Sequence, residues 1–168
     1  MTPIDVVAAG HICLDIIPDL SGSAQEDFYR LLQPGRLLEV GPVRYSTGGS
    51  VSNTGLSLHK LGVSIRLIGK IGDDLFGGAI RHFVQRFGPD LADDMLVDAD
   101  ASSSYTIVLN PPNVDRIFLH HPGANDAFYA ADVRYDVIAR SRLFHFGYPP
   151  IMKAMYENSG AELAEMFE

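Results

Sequence analysis

The chain is short of cysteine, of positive charge and of long apolar runs, and each shortage removes a class of protein. Cys13 stands alone among 168 residues, so no intrachain disulfide can form, in keeping with a reducing compartment. No second cysteine or suitably spaced histidine activates it, so it reads as a small buried apolar residue at a strand end. With 13 Lys and Arg against 21 Asp and Glu, the formal net charge is −8, which disfavours nucleic acid as a partner because phosphate-backbone binding draws on clustered cations. No run of about 18 apolar residues occurs, and no basic segment leads into an apolar stretch and cleavage site at the N-terminus. The expectation is a soluble, cytoplasmic protein with no membrane partner. Low-complexity tracts are also missing, and 46% hydrophobic with 20% charged residues describes a globular chain, economically one domain.

Several ligand signatures are absent as well. No Gly-x-Gly-x-x-Gly follows the first apolar run, which argues against a dinucleotide-binding dehydrogenase. Gly69 to Gly77 looks superficially like a phosphate loop, yet Ile71 follows Lys70, so the Walker A pattern fails. That segment reads instead as a strand-to-helix turn, with Gly72 giving the bend and Asp73 the cap. His120 and His121 are adjacent, and neighbours on a strand point to opposite faces, so they do not make a metal pair. His11 reads as a turn or surface histidine, and His59, His82 and His145 show no ligand spacing. Asp93, Asp94, Asp98 and Asp100 read as a solvated acidic loop.

What is present is a run of alternating strand and helix signals. Ile4 to Ala9 is a β-branched apolar strand ended by Gly10, and Asp15 falls just past its carboxyl end, where open α/β sheets bind ligands. An Asx-type turn or cap is the competing reading of Asp15. Ser21 to Gln33 is polar and irregular, Pro34-Gly35 marks a turn, and Leu37 to Tyr45 alternates as a half-exposed strand. Gly48-Gly49-Ser50-Val51-Ser52-Asn53 then opens a helix over Val51 to Leu61 with Gly62 at its end. Paired glycines permit left-handed angles and a close approach of backbone N–H groups to a polar ligand. Ser64 to Ile71 reads as a strand. Asp73 or Asp74 caps a helix carrying Phe76, Ile80, Phe83, Val84 and Phe87, stopped by Gly88.

Met95 to Val97 is a brief strand, and Tyr105 to Leu109 pairs with Arg116 to His120 across Pro111-Pro112-Asn113 as a hairpin. Asp132 to Ala139 reads as a helix, Leu143 to Phe146 as a buried strand, and Ile151 to Phe167 as a final helix. The rhythm predicts an α/β fold: a Rossmann-like, mainly parallel sheet flanked by helices, with the 37–45 and 105–121 strands forming an appended small β-sheet. The last helix carries no stop signal near Glu168, so the expectation is the N-terminal part of a longer protein; a natural mini-domain is the alternative.

The order strand, Gly10-x-x-x-x-Asp15, extended insertion, Gly48-Gly49-x-x-x-Asn53, helix, strand and Gly69-x-x-Gly72-Asp73-Asp74-x-x-Gly77 resembles the ribokinase-like (PfkB-type) carbohydrate kinases, as does Gly123-Ala124-Asn125 after the hairpin. The resemblance implies ATP-dependent phosphorylation, with Mg²⁺, of a hydroxymethyl group on a sugar, sugar acid or nucleoside, and a β-sheet lid over the site. Asp15 matches the family's acidic residue that accepts from substrate hydroxyls, and Gly48, Gly49 and Asn53 match the di-glycine turn and amide that hold the sugar. Cys13 stands where relatives often carry a polar residue and Ser50 where some carry Lys, so the choice among ribose, fructose, a keto-sugar acid, a nucleoside and a phosphorylated sugar stays open. The family's catalytic base, in a late Gly-Ala-Gly-Asp motif, has no counterpart here, so this chain is expected to supply the acceptor site and lid but no catalytic or nucleotide-binding residue. Ile107, Leu109, Ile117 and Leu119 of the lid could cap the sugar or meet a second copy as a homodimer. A non-catalytic sugar sensor is the alternative function.

Overall fold

The computed structural model describes residues 3–23, 33–35, 37–113 and 115–168. The first apolar run forms β1 (Ile4–Gly10), hydrogen-bonded in parallel to β4 (Ile65–Ile68) on one side and β9 (Ser141–Gly147) on the other. Successive side chains of β1 alternate between faces, and both faces are covered, as parallel sheets require. Ala8 packs with Leu67, Leu56, Ile80 and Val84 on one side; Val7 and Ala9 pack with Ile68, Phe128, Val137, Met152 and Met155 on the other.

The helices on the first face arise as their sequence predicts. The chain turns at Gly49 into a wide π-type coil over Val51–Leu56 and continues as α1 (Ser57–Lys60), and Gly62, at φ +83°, ends it just past the last helical residue. Asp74, rather than Asp73, caps α2 (Leu75–Gln85): its Oδ1 accepts from Gly77 N at 2.8 Å and its Oδ2 from Ser103 N at 2.7 Å. Gly88 is extended at φ −177°, so α2 ends by running out at Arg86, not through a left-handed glycine.

The appended sheet has the order β3-β2-β7-β8, formed by β2 (Cys13–Asp19), β3 (Gly41–Gly48), β7 (Tyr105–Leu109) and β8 (Ile117–His121). Strands β2 and β3 pair antiparallel, β2 and β7 parallel, and β7 and β8 antiparallel. Asp15 therefore lies within a strand of its own, not in the loop expected beyond β1. The strand expected at 37–45 begins later, and Leu37 is left 93% exposed. Most of the polar stretch expected over Ser21 to Gln33 lies outside the described residues. The single strand expected at 64–71 is two. Gly69 separates them, at a point where a side chain would meet Ile12 Cγ2 at 2.7 Å, and beyond it β5 (Lys70–Gly72) pairs with β6 (Leu96–Asp98).

Toward the C-terminus, a 3₁₀ turn at Ala130–Asp132 precedes a short α3 (Tyr135–Ile138). The long helix expected at 151–167 is interrupted. Asn158, Ser159 and Gly160 are all left-handed, which separates α4 (Lys153–Tyr156) from α5 (Ala161–Phe167). The acidic patch is not wholly solvated either: Asp94 is 4% exposed, bonded to the Arg66 guanidinium and 3.5 Å from Arg134, because burying a carboxylate requires such partners. No described helix is long and apolar enough to cross a membrane.

Candidate acceptor-binding site

Where β1 ends, the chain passes through His11 and Ile12 into β2, and one side chain fixes that crossing. Asn125, fully buried, accepts from Ile12 N at 3.2 Å and donates to Ile12 O at 2.9 Å and Pro122 O at 3.1 Å. The Gly123-Ala124-Asn125 segment thus clamps the base of the lid to the edge of the main sheet. From the opposite side, Ser50 Oγ donates to Gly147 O at 3.0 Å and Val51 N to His11 O at 3.2 Å, tying the di-glycine turn to the same crossing.

Register then brings the polar groups together. Asp15 is opposite Ser46 on β3 and Thr106 on β7, Thr106 is opposite His120 on β8, and Cys13 is opposite Gly48. Directly opposed residues share a face, so Cys13, Asp15, Gly48, Thr106 and His120 all project from one side of the lid. Glycine is required by the backbone at position 49, which lies at φ +86° against the His11 ring and carbonyl, and at position 48 it leaves room for the carboxylate, since a Cβ there would lie 2.6 Å from Asp15 Oδ2.

The half-buried Asp15 receives one hydrogen bond among the described residues, from the Cys13 thiol at 3.5 Å. Burial pushes its carboxyl above the usual carboxylate range, with the thiol bond and His120 pulling the other way. Burial, then the neighbouring Asp15, pushes the Cys13 thiol up to about 12, so it remains a donor. His11 is 2% exposed, which corrects its reading as a surface residue; burial and then His120 lower it to about 4. Burial also lowers His120. The neighbouring histidines do face apart, His120 bonding Thr106 and His121 bonding Ser102 Oγ at 2.8 Å.

Of the four residues expected to bind ligand, the structure brings Asp15 and Gly48 into contact and sets Gly49 beside them against His11. Asn53 is exposed and lines a groove of ≈ 460 Å³ with Tyr45, Ser46, Thr47, Lys60 and Arg86. Asp15 and Gly48 do not line that groove, but Ser46 does, so the two places abut across strand β3. Sequence reasoning weighed His120 only as a metal ligand and passed over Thr106, because their alignment with Asp15 arises from strand register. Among the described residues no three His, Cys, Asp or Glu side chains converge.

The family model for pfkB family carbohydrate kinases matches residues 4–165. The chain belongs to that family. It is 29% identical over 144 residues to Fructokinase-2 of Oryza sativa subsp. japonica, covering 84% of this chain and 39% of the relative. It is 25% identical over 148 residues to Probable fructokinase-5 of Arabidopsis thaliana, covering 87% and 41%. Among solved structures it is similar to a PfkB protein from Polaromonas sp. JS666, with TM-score 0.70 at 16% identity over 98% of this chain and 52% of that one. A fructokinase with bound ATP from Xylella fastidiosa gives TM-score 0.64 at 18% identity, over 86% and 42%. The fold is ribokinase-like, and this pfkB-family chain spans about two fifths of the length of the curated relatives it matches.

Proposed function

We propose that this pfkB-family chain provides the acceptor site and lid of a cytoplasmic carbohydrate kinase whose full-length form phosphorylates a hydroxymethyl group of a sugar, sugar acid or nucleoside. The observation that carries the reading is the Asp15 carboxylate. It is half-buried, held beside the di-glycine turn, and hydrogen-bonded among the described residues only by a thiol. A carboxylate so placed is short of donors, and a polyhydroxylated ligand supplies them. Backbone N–H groups at Gly48 and Gly49 and the amide of Asn53 complete the grip. The lid carries Thr106 and His120 over the same ligand and limits its exposure to water.

ATP with Mg²⁺ supplies the phosphoryl group, held by residues outside this chain, and no catalytic step is assigned to the residues described. Ile107, Leu109, Ile117 and Leu119 share one face of β7 and β8, with Leu119 52% exposed, and this is the face through which two lids would pair. A monomer in light scattering of the full-length protein would dispose of that pairing. Asp15→Asn in the full-length protein is expected to lower kcat/KM for the preferred sugar by about 10- to 100-fold, as loss of hydrogen bonds to a charged acceptor does. Unchanged efficiency would refute the assignment.

A further inference from the structure

A series of hydrogen bonds runs from the buried corner of the main sheet to Asp15. His11 Nε2 is 3.3 Å from His120 Nε2, His120 Nδ1 is 2.9 Å from Thr106 Oγ1, Thr106 Oγ1 is 3.6 Å from Cys13 Sγ, and Cys13 Sγ is 3.5 Å from Asp15 Oδ1. We infer that this series has one direction, and that Cys13, Thr106 and His120 are positioning residues that hold Asp15 for its ligand.

The direction follows from its two ends. An ionised carboxylate only accepts, so Cys13 donates to Asp15, and the thiol sulfur is then free to accept from the Thr106 hydroxyl. With its proton committed to sulfur, Thr106 accepts from His120, which carries its proton on Nδ1. Nε2 of His120 is then an acceptor, and His11 donates to it from its own Nε2. His11 Nδ1 is left as a bare lone pair, and this atom is buried without a partner.

Reversing the series would place a proton on His11 Nδ1. That would bury an unpaired N–H and take the donor away from the Cys13 sulfur. An unpaired buried acceptor is the lesser defect, so the forward direction wins. It fixes His120 in the Nδ1–H form and His11 in the Nε2–H form.

The consequence for recognition rests on the proposal that Asp15 binds the acceptor. Oδ1 accepts from the thiol, while Oδ2 has no hydrogen-bond donor among the described residues, and both oxygens lie beside the space that a Cβ on Gly48 would fill. The ligand must therefore present donors there. Neutral vicinal hydroxyls fit, and an anionic group at that end of the ligand is repelled.

Long-range ¹H–¹⁵N imidazole spectra of the protein at neutral pH test the series without any ligand. Protons are expected on Nδ1 of His120 and Nε2 of His11. Thr106→Val, nearly isosteric, should move His120 toward its Nε2–H form, and Thr106→Ser should restore the Nδ1–H form. A wild-type His120 protonated on Nε2, or a spectrum unmoved by Thr106→Val, overturns the proposal. The positioning role is read by titrating fructose and ribose: Thr106→Val should weaken binding about fivefold and Thr106→Ser should recover it. Equal binding by Thr106→Val and wild type overturns that role. If the tautomers are as stated and the wild type binds neither polyol nor any other sugar, the acceptor-site reading falls and the hydrogen-bond series stands.

Discussion

Lowering the pH should destabilise the fold through His11, and the size of the effect can be worked out. The imidazole is 2% exposed, and burial followed by His120 lowers its pKa from 6.5 to about 4. Between those values the unfolded chain takes up a proton that the folded one refuses, so stability rises with pH. The contribution is fully present above 6.5 and is lost as pH falls toward about 4. At about 1.4 kcal/mol per pH unit, the loss approaches about 3 kcal/mol at its limit and reaches about 2 kcal/mol near pH 5. His120 is lowered too and adds loss of the same sign. His11→Gln keeps a side-chain donor and removes the titration. Urea denaturation of both proteins at about pH 7.5 and about pH 5 isolates the term: the wild type should lose about 2 kcal/mol more than the variant. Equal losses would mean that His11 takes up its proton in the folded state, and the account of a sealed, neutral histidine would fail.

Gly48→Ala puts a methyl group 2.6 Å from Asp15 Oδ2 and 2.8 Å from Oδ1, so the carboxylate must move. Polyol affinity should fall about tenfold by calorimetry while the fold survives, because Gly48 is not in the left-handed region. Asp74→Ala removes the bonds to Gly77 N and Ser103 N and should cost about 1–2 kcal/mol in urea denaturation, with Asn recovering part of it. Ser46→Phe places an aromatic ring where the Asp15 face and the Asn53 groove meet. Sugar affinity should drop with stability unchanged, since Ser46 is exposed on an edge strand. Polyol affinity should also decline as pH falls through the raised Asp15 value, because the protonated acid turns one acceptor oxygen into a donor.

The parts of this molecule legible in its sequence are those whose cause is local. Ile80 and Val84 are buried on one stripe of α2, Asp74 opens that helix, and Gly49 and Gly62 take the positive φ their positions require. Strand β2 was harder to read because Asp15, Pro18 and Asp19 look like loop residues, and what makes it a strand is pairing with β3 and β7, far along the chain. Gly69 reads as an ordinary strand glycine until Ile12 is found pressed against it. The kink at Asn158 to Gly160 hides behind an apolar spacing that both flanking helices continue.

The site divides along the same line. Asp15 and the glycine pair belong to motifs with a fixed order, whereas the hydrogen bonds reaching Asp15 from Thr106 and His120 depend on a hairpin that runs Tyr105↔His121 to Leu109↔Ile117. That ladder uses β8 one residue later than the Arg116 to His120 span expected from sequence. Because a strand alternates faces, a slip to that register would aim His120 away from Thr106 and put Leu119 opposite it. Asn53 shows the same dependence from the helical side. Leu56, Ser57 and Lys60 follow it by three, four and seven positions and line the groove with it, beside Tyr45 and Thr47. Ser46, paired with Asp15 and lining the groove with Asn53, is the residue that the two places share.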